Sequence, residues 1–477
     1  MLFNSWQFIA FFIVVYSLYR ILDHRWQNRM LLVASYFFYG CWSWRFLSLL
    51  WISTAVDYFC GLKIGECSDP RKKKIYLAIS VVLNLCFLGF FKYFNFFIGN
   101  FESLLYCLGL NVSVPLLHII LPVGISFYTF QEISYVVDVY RGDLKPVRKL
   151  SDYALFVVYF PHLVAGPIQR PRTLIPQVCS KRTISREQIR EGLFLFAWGM
   201  FKKVIIADGL APIANMVFAD QGAISGWQVL LGVYAFAFQI YCDFSGYTDI
   251  ARGISKLMGF ELMLNFNLPY FAVSPREFWR RWHISLSTWI RDYLYIPLGG
   301  NRKGELRTYL NLIVTMTLAG LWHGAAWTFV IWGAYHGFLL AIQRLVEPFA
   351  QTMFSFKNRF IKRMLEFGGI LITFHLVCFG WLLFRAESLG QVVDMVKSLF
   401  CNWTPDWKTF YYFKELILFV WLLLLFQLFQ FFRKDLRWII SASTKTKVAF
   451  TAAAAALVFV IYAIGMPASQ EFIYFQF

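Results

Sequence analysis

The chain has 477 residues, 59% of them hydrophobic and only 15% charged, with 53 Phe, 25 Tyr and 18 Trp. Soluble domains run about 45–50% apolar and about 25% charged, so this composition excludes a string of soluble domains, a disordered chain, a coiled coil and a disulfide-stapled secreted domain. It reads as an all-α polytopic integral membrane protein. Lys and Arg number 45 against 27 Asp and Glu, a net charge of +18. Between apolar spans, that excess is the ordinary signature of cytoplasmic loops, and no nucleic-acid partner is expected. The nine Cys are scattered, with Cys41, Cys60, Cys86 and Cys242 inside apolar stretches. No CxxC pair or Cys/His spacing predicts a metal site or a disulfide frame.

Along the chain, the first apolar run, residues 6–22, has no basic stretch before it and no small-residue cleavage site after it. It reads as a first span and not as a removed leader. Further runs of spanning length lie at 46–62, 75–91, 227–244, 367–384, 416–432 and 448–464. Shorter or interrupted ones lie at 30–42, 116–137, 153–168 and 193–201. A full span needs about 20 residues, so the short ones are expected to be tilted, re-entrant or buried among neighbours. The expectation is about 10 to 13 membrane helices in a single domain over residues 1–477, with no internal repeat.

Basic loops set the orientation. Arg71 to Lys74 form one, and residues 169–192, with Arg170, Arg172, Lys181, Arg182, Arg186 and Arg190, form the strongest; both should face the cytoplasm. The stretches 301–307 and 344–363 are also basic. If both lie inside, the uncharged segment 308–343 must enter the bilayer and return. Its first arm, 308–322, spans about 22 Å as a helix, short of the ~30 Å hydrocarbon core. The turn Gly320-Leu321-Trp322-His323-Gly324 would then sit within the bilayer. A single tilted helix kinked at the glycines gives His323 a similar depth.

An intramembrane histidine is costly and usually lines a cavity or pathway. His323 could act as a general base toward an attacking hydroxyl, or be a structural histidine bonded to a backbone carbonyl. His336 reads as structural. Upstream, Ser274-Pro275-Arg276-Glu277 predicts a helix start with a capping box, and residues 275–297 read as one amphipathic interfacial helix. On it Arg276, Arg280, His283, Ser287 and Arg291 share one face, and Phe278, Trp279, Trp282, Leu286, Trp289, Ile290 and Tyr293 the other. The arginine stripe suits lipid headgroups or the phosphates of an anionic co-substrate such as coenzyme A. Asp243 and Asp249 each call for a partner, Arg252 or the arginine stripe. Pro161-His162 and Ala165-Gly166-Pro167 read as a re-entrant loop. No P-loop, GxSxG, HExxH or dinucleotide fingerprint occurs. These features permit an intramembrane transferase or a transporter.

The motifs narrow the choice. The run from Glu277-Phe-Trp-Arg-Arg-Trp-His283 through Asp292 to Gly299-Gly-Asn301-Arg, followed by Gly320-Leu-Trp-His323-Gly-Ala, resembles the membrane-bound O-acyltransferase superfamily. Within it, the chain is similar to the branch of the alginate O-acetylation membrane subunit. Phe3-Asn4-Ser5, residues 122–130, 135–142 and 160–167, Asp243 to Tyr247, Asn265-Phe-Asn267 and the terminal 474–477 match as well. The resemblance implies a helical core with re-entrant or broken helices and interfacial amphipathic helices, in a bacterial cytoplasmic (inner) membrane. It implies the superfamily's conserved histidine at His323 and its second polar position, Asn or His, at His283. It further implies acetyl-CoA as donor, no metal, and SGNH-hydrolase-type extracytoplasmic partners through which a polysaccharide acceptor, alginate-like or a wall polymer, is reached. On that reading His323 activates the acceptor hydroxyl, His283 positions or polarises, and Arg276, Arg280 and Arg291 attract the donor's phosphates.

Overall fold

The computed structural model describes residues 1–112, 115–164, 166–220, 224–353, 358–464 and 472–473, and among these there is no β-strand. Ala165 and residues 474–477, both carried by motifs named above, lie outside the described residues. The chain divides into two compact units, where one domain was expected. The first comprises Met1–Phe196 with Ile250–Met263, and the second Ala197–Asp249 with Leu264–Phe477. Two of the three boundaries fall inside continuous helices, at 196/197 and 249/250, so no shift in composition marks them.

The first unit opens with α1 (Trp6–Ile21), capped by the Ser5 hydroxyl, which accepts from the Phe8 amide at 3.2 Å. There follow α2 (His24–Ser43), α3 (Leu47–Glu66), α4 (Pro70–Leu88) and, beyond a π turn at Gly89–Tyr93, α5 (Phe94–Cys107). After α6 (Ile125–Arg141) come α7 (Leu150–Val158), α8 (Phe160–Leu163), α9 (Pro171–Cys179) and α10 (Arg186–Met200). In its core Phe8 packs edge to face on Phe38, and the tilted ring of Phe160 contacts both. Between α3, α4 and α6 lies a polar knot with no exposure. Glu132 accepts from Ser53 and Thr54 at 3.1 and 3.0 Å, and Asp57 accepts from Asn84 at 2.7 Å.

The basic segment 169–192 is not an open loop. It carries α9 and the start of α10, and half of its cations are tied into the unit. Arg172 reaches the fully buried Asp138 at 3.1 Å, and Arg182 donates to the Tyr19 hydroxyl at 2.7 Å and to Asn28 at 2.8 Å. Lys181, Arg186 and Arg190 remain exposed. The expected re-entrant loop at 161–167 is a break at Tyr159 between α7 and α8, with Pro161 and His162 buried.

The second unit contains α11 (Asp208–Ala219), most of α12 (Gly226–Leu257), the short α13 (Pro275–Arg281) and α14 (Ile284–Ile290), then α15 (Glu305–His323) and α16 (Trp327–Met353). It ends with α17 (Arg359–Arg385), α18 (Leu389–Cys401), α19 (Trp407–Arg433), α20 (Trp438–Ser441) and α21 (Thr444–Ile464). Among the described residues seven helical stretches are long and apolar enough to cross a membrane. The larger number expected counted shorter runs such as α6 and α7, whose side chains are largely buried inside the protein.

α15 and α16 form an antiparallel hairpin. Segment 308–343 therefore turns back on itself, and the reading as a single kinked helix is excluded. Their seam is made of glycines, a small-residue interface that lets backbones approach. A Cβ on Gly320 would run into the Phe329 carbonyl, one on Gly333 into the Met316 carbonyl, and one on Gly337 against Ile313. At the opposite end from the turn, Arg344 clasps Glu305 with two bonds of 2.9 Å.

Gly333→Val should therefore force the hairpin apart, costing about 1–3 kcal/mol or more and lowering the thermal midpoint in detergent. Gly368→Ala in α17, where a Cβ meets nothing within 4 Å, should be neutral or stabilise by about 0.5 kcal/mol. Equal midpoints for wild type and Gly333→Val would contradict the seam.

Candidate active site

The helix start predicted at Ser274 is present. Ser274 accepts from the Glu277 amide at 3.3 Å, and the Glu277 carboxylate turns back to the Val273 amide at 2.8 Å. The continuous helix over 275–297 is not. α13 ends at Arg281, His283 adopts a left-handed backbone with φ of 43°, α14 begins at Ile284, and a π turn runs over Arg291–Tyr295. A side chain other than glycine pays roughly 1–2 kcal/mol for that conformation. Asn265 offsets the cost: its carbonyl accepts from the Ile284 amide at 2.9 Å, and its side-chain oxygen from the Ser285 amide and hydroxyl at 3.2 and 2.9 Å.

The break dissolves the single polar face. His283 turns inward with no exposure, its ring 4.6 Å from that of Phe244. Burial in apolar surroundings pushes its imidazole down to about 3, so it is neutral. Arg276 is held by Glu347 through bonds of 2.9 and 2.7 Å. Arg280 is exposed. Phe278, Trp282, Leu286, Trp289 and Ile290 are buried within the protein, so this apolar face packs against protein. The expectation of one continuous helix fails there because a 100° periodicity cannot foresee a left-handed residue.

His323 ends α15 at the closed end of the hairpin, 6% exposed. Its ring lies in an aromatic box, with centroids 4.9 Å from Trp322, 5.1 Å from Trp332 and 5.4 Å from Phe384. The His283 ring is 6.4 Å away, so the two histidines singled out in the sequence are neighbours. His336 sits behind Trp332 at 4.9 Å, among Trp279 and Tyr335, as a buried core residue.

A narrow cavity of about 210 Å³ leads to His323. One wall is a face of α15: Leu312, Thr315, Met316, Ala319 and His323, at i, i+3, i+4, i+7 and i+11. The other includes Trp279, Leu286, Ser287, Ile290, Arg291 and Tyr295. From Leu312 to His323 is about 16 Å along the helix. Arg291, with 60% of its side chain exposed and bonded to Asp292 at 2.8 Å, lies at the opening. The cavity thus joins one guanidinium to one imidazole through an apolar passage. Of the predicted site residues it unites His323 and Arg291, brings His283 near, and leaves Arg276 and Arg280 outside. Thr315, Met316 and Ala319 were missed, although their helical spacing ahead of His323 was a readable signal.

Asp243 and Asp249 each take a lysine as a partner. Lys202 meets Asp249 at 2.7 Å and Ser245 at 2.9 Å. Lys203 bridges Asp208 and Asp243, both at 2.9 Å, and the Ile473 amide donates to Asp243 at 2.7 Å. The lysines come from a π segment, Phe201–Ala207, that reads in sequence as the tail of an apolar run. Among the described residues no group of His, Cys, Asp and Glu is placed to hold a metal ion.

The apolar cavity and the histidine at the tip of the hairpin lie together in one stretch of the chain. Residues 147–384, which hold both histidines and the cavity, match the family model of MBOAT, the membrane-bound O-acyltransferase family. The chain is 45% identical over 408 residues to the probable alginate O-acetylase of Azotobacter vinelandii, covering 85% of this chain and 79% of the relative. It is 38% identical over 431 residues to the peptidoglycan O-acetyltransferase of Helicobacter pylori, covering 84% and 80%. Similarity to the teichoic acid D-alanyltransferase of Bacillus subtilis is 29% over 277 residues, covering 55% and 68%. The chain belongs to the membrane-bound O-acyltransferase family and is a multi-pass membrane acyltransferase.

Removing the cation between two buried carboxylates leaves charge uncompensated, a loss of about 3–5 kcal/mol. Lys203→Met should accordingly give little folded protein by size-exclusion chromatography. Asn265→Ala should destabilise by about 1–3 kcal/mol through the amide it leaves unsatisfied, read as a lowered thermal midpoint. His283→Asn, which tolerates the left-handed backbone, should stay folded, and a collapse there would assign His283 a purely structural role.

Proposed function

We propose that the protein takes acetyl from cytoplasmic acetyl-CoA and passes it across the membrane for O-acetylation of an extracytoplasmic, alginate-like polysaccharide. The observation that carries this reading is the cavity with His323 at its inner end and Arg291 at its opening. An extended thioester arm fits a narrow apolar passage, with the phosphates left outside near Arg291. His323 takes the proton of the acceptor hydroxyl as the oxygen attacks the acetyl carbonyl. The C–S bond breaks, the ester forms, and the proton is returned to the departing thiolate. General-base assistance of this kind is worth about 10²–10⁴ in rate, and the thioester supplies the driving force, so placement dominates. The neutral His283 orients or polarises from the side of Trp322.

Donor attraction passes to Arg291, because Arg276 is spent on Glu347. On this reading His323 lies within the bilayer and the basic end of the hairpin at the cytoplasmic face of a bacterial inner membrane, which the basic residues at 301–307 and 344–363 support. The acceptor is reached through extracytoplasmic partners of the SGNH-hydrolase type, and the higher identity to the alginate relative favours an alginate-like polymer as that acceptor. The 38% identity to the Helicobacter pylori enzyme supports a second acceptor class, a cell-wall polymer.

The test uses protein in nanodiscs with acetyl-labelled acetyl-CoA. His323→Ala should lower acetyl release or transfer by at least 10²-fold with insertion unchanged; unchanged turnover sinks the assignment. Arg291→Ala should raise the donor KM with kcat little altered, whereas Arg276→Ala should lower the thermal midpoint and leave that KM alone. The reverse pattern would return the donor site to the first turn of α13.

A further inference from the structure

A second and larger cavity, about 1250 Å³, opens in the second unit between the first turns of α17 and the last turns of α19. It exceeds the 300–1,000 Å³ of ordinary small-molecule clefts and shares no lining residue with the passage to His323. Its chemistry is divided along its depth. At one end stand Arg359 and Arg363 of α17 and Lys434, the residue that terminates α19, with Arg281 on the floor. Arg281 is satisfied by Glu277 at 2.6 Å. Arg359, Arg363 and Lys434 make no ion pair with any described residue, and Glu366 is the one acid in the lining.

The walls change character inward. One to two turns on from Arg363, α17 presents Phe367 and Ile370, and as far from Lys434, α19 presents Leu428 and Phe431. Phe367 is 63% exposed and Phe432, beside Lys434, 76%. Both helices qualify as membrane spans, so these side chains face acyl chains, while the cations at the span ends lie at headgroup level. Cations gathered between transmembrane helices at that depth, over apolar walls, match a negative headgroup with fatty chains below it. A soluble phosphate compound would use the cations and leave the apolar walls without a partner.

We propose that this cleft is a binding site for an anionic glycerophospholipid, its phosphate held by Arg359, Arg363 and Lys434 and its chains lying along Phe367, Ile370, Leu428 and Phe431. The floor of the cleft is the strand of backbone that positions the active-site break. The Asn267 amide donates to the Arg281 carbonyl at 2.9 Å, two residues before His283. A bound lipid therefore braces the segment carrying His283 from the side away from the cavity. This assignment stands on charge and shape and does not depend on the acetyl-transfer reading.

The experiment is native mass spectrometry of the purified full chain with phosphatidylglycerol or phosphatidylcholine added at equal concentration. Each cation near a membrane surface contributes a factor of about five, so wild type should retain phosphatidylglycerol at least tenfold over phosphatidylcholine. Arg359→Gln/Arg363→Gln/Lys434→Gln should bring that ratio below threefold, and Arg71→Gln/Lys72→Gln/Lys74→Gln, an exposed cationic patch on α4, should leave it unchanged. Excess inorganic phosphate or coenzyme A should fail to displace the lipid. Equal retention of the two lipids, an unchanged ratio in the cleft variant, an equal fall in the α4 variant, or displacement by free phosphate or coenzyme A would each overturn the proposal.

Discussion

Everything at the active site hangs on how closely α15 and α16 approach. Gly320, Gly333 and Gly337 remove the side chains that would separate the two backbones, and the hairpin closes tightly just beyond His323. In a membrane, where lipid tails are as apolar as Leu, such packing is a main source of helix association. The closure fixes the imidazole among Trp322, Trp332 and Phe384, and turns one face of α15 into the wall of a passage. A looser hairpin would still carry a histidine at its tip. It would not hold that histidine at the end of a narrow cavity.

The second constraint is electrostatic. The unit with the candidate active site buries Lys202 and Lys203 with Asp208 and Asp243, pairs Lys202 with the half-buried Asp249, and the described tail residue Ile473 adds an amide to the same cluster. Charges removed from water are tolerable only when paired at short range and hydrogen-bonded, and each distance here meets that demand. Phe472 stacks against Tyr247 at 4.7 Å, on the helix that supplies Asp243 and Phe244. Phe244 in turn contacts His283. The charge cluster and the histidine pair thus share one supporting helix, α12.

Much of this was legible in the residues. The span composition, the helix start at Ser274 and the reversal of segment 308–343 near His323 all follow from apolar periodicity, capping chemistry and the placement of basic residues. The break at His283 does not. It depends on Asn265, distant along the helical pattern, supplying the bonds that compensate a left-handed residue. Arg276 matched the cationic stripe by spacing, yet Glu347, far along the chain, claims it. Lys202 and Lys203 were hidden for the same reason, since they look like the edge of an apolar run until tertiary contacts bring Asp243 and Asp249 beside them. Local rules found the elements, and long-range pairing decided which side chains were left for chemistry.

The central claim is that the passage between α14 and α15 delivers a thioester to His323. It is tested most directly by a structure of the protein with a non-hydrolysable acetyl-CoA analogue. The account predicts the acetyl carbonyl within hydrogen-bond reach of His323, the arm running past Ala319 and Thr315, and the phosphates outside near Arg291. An analogue seated elsewhere, in the cleft of Arg359, Arg363 and Lys434 or along Arg276, with the passage to His323 unfilled, would contradict it.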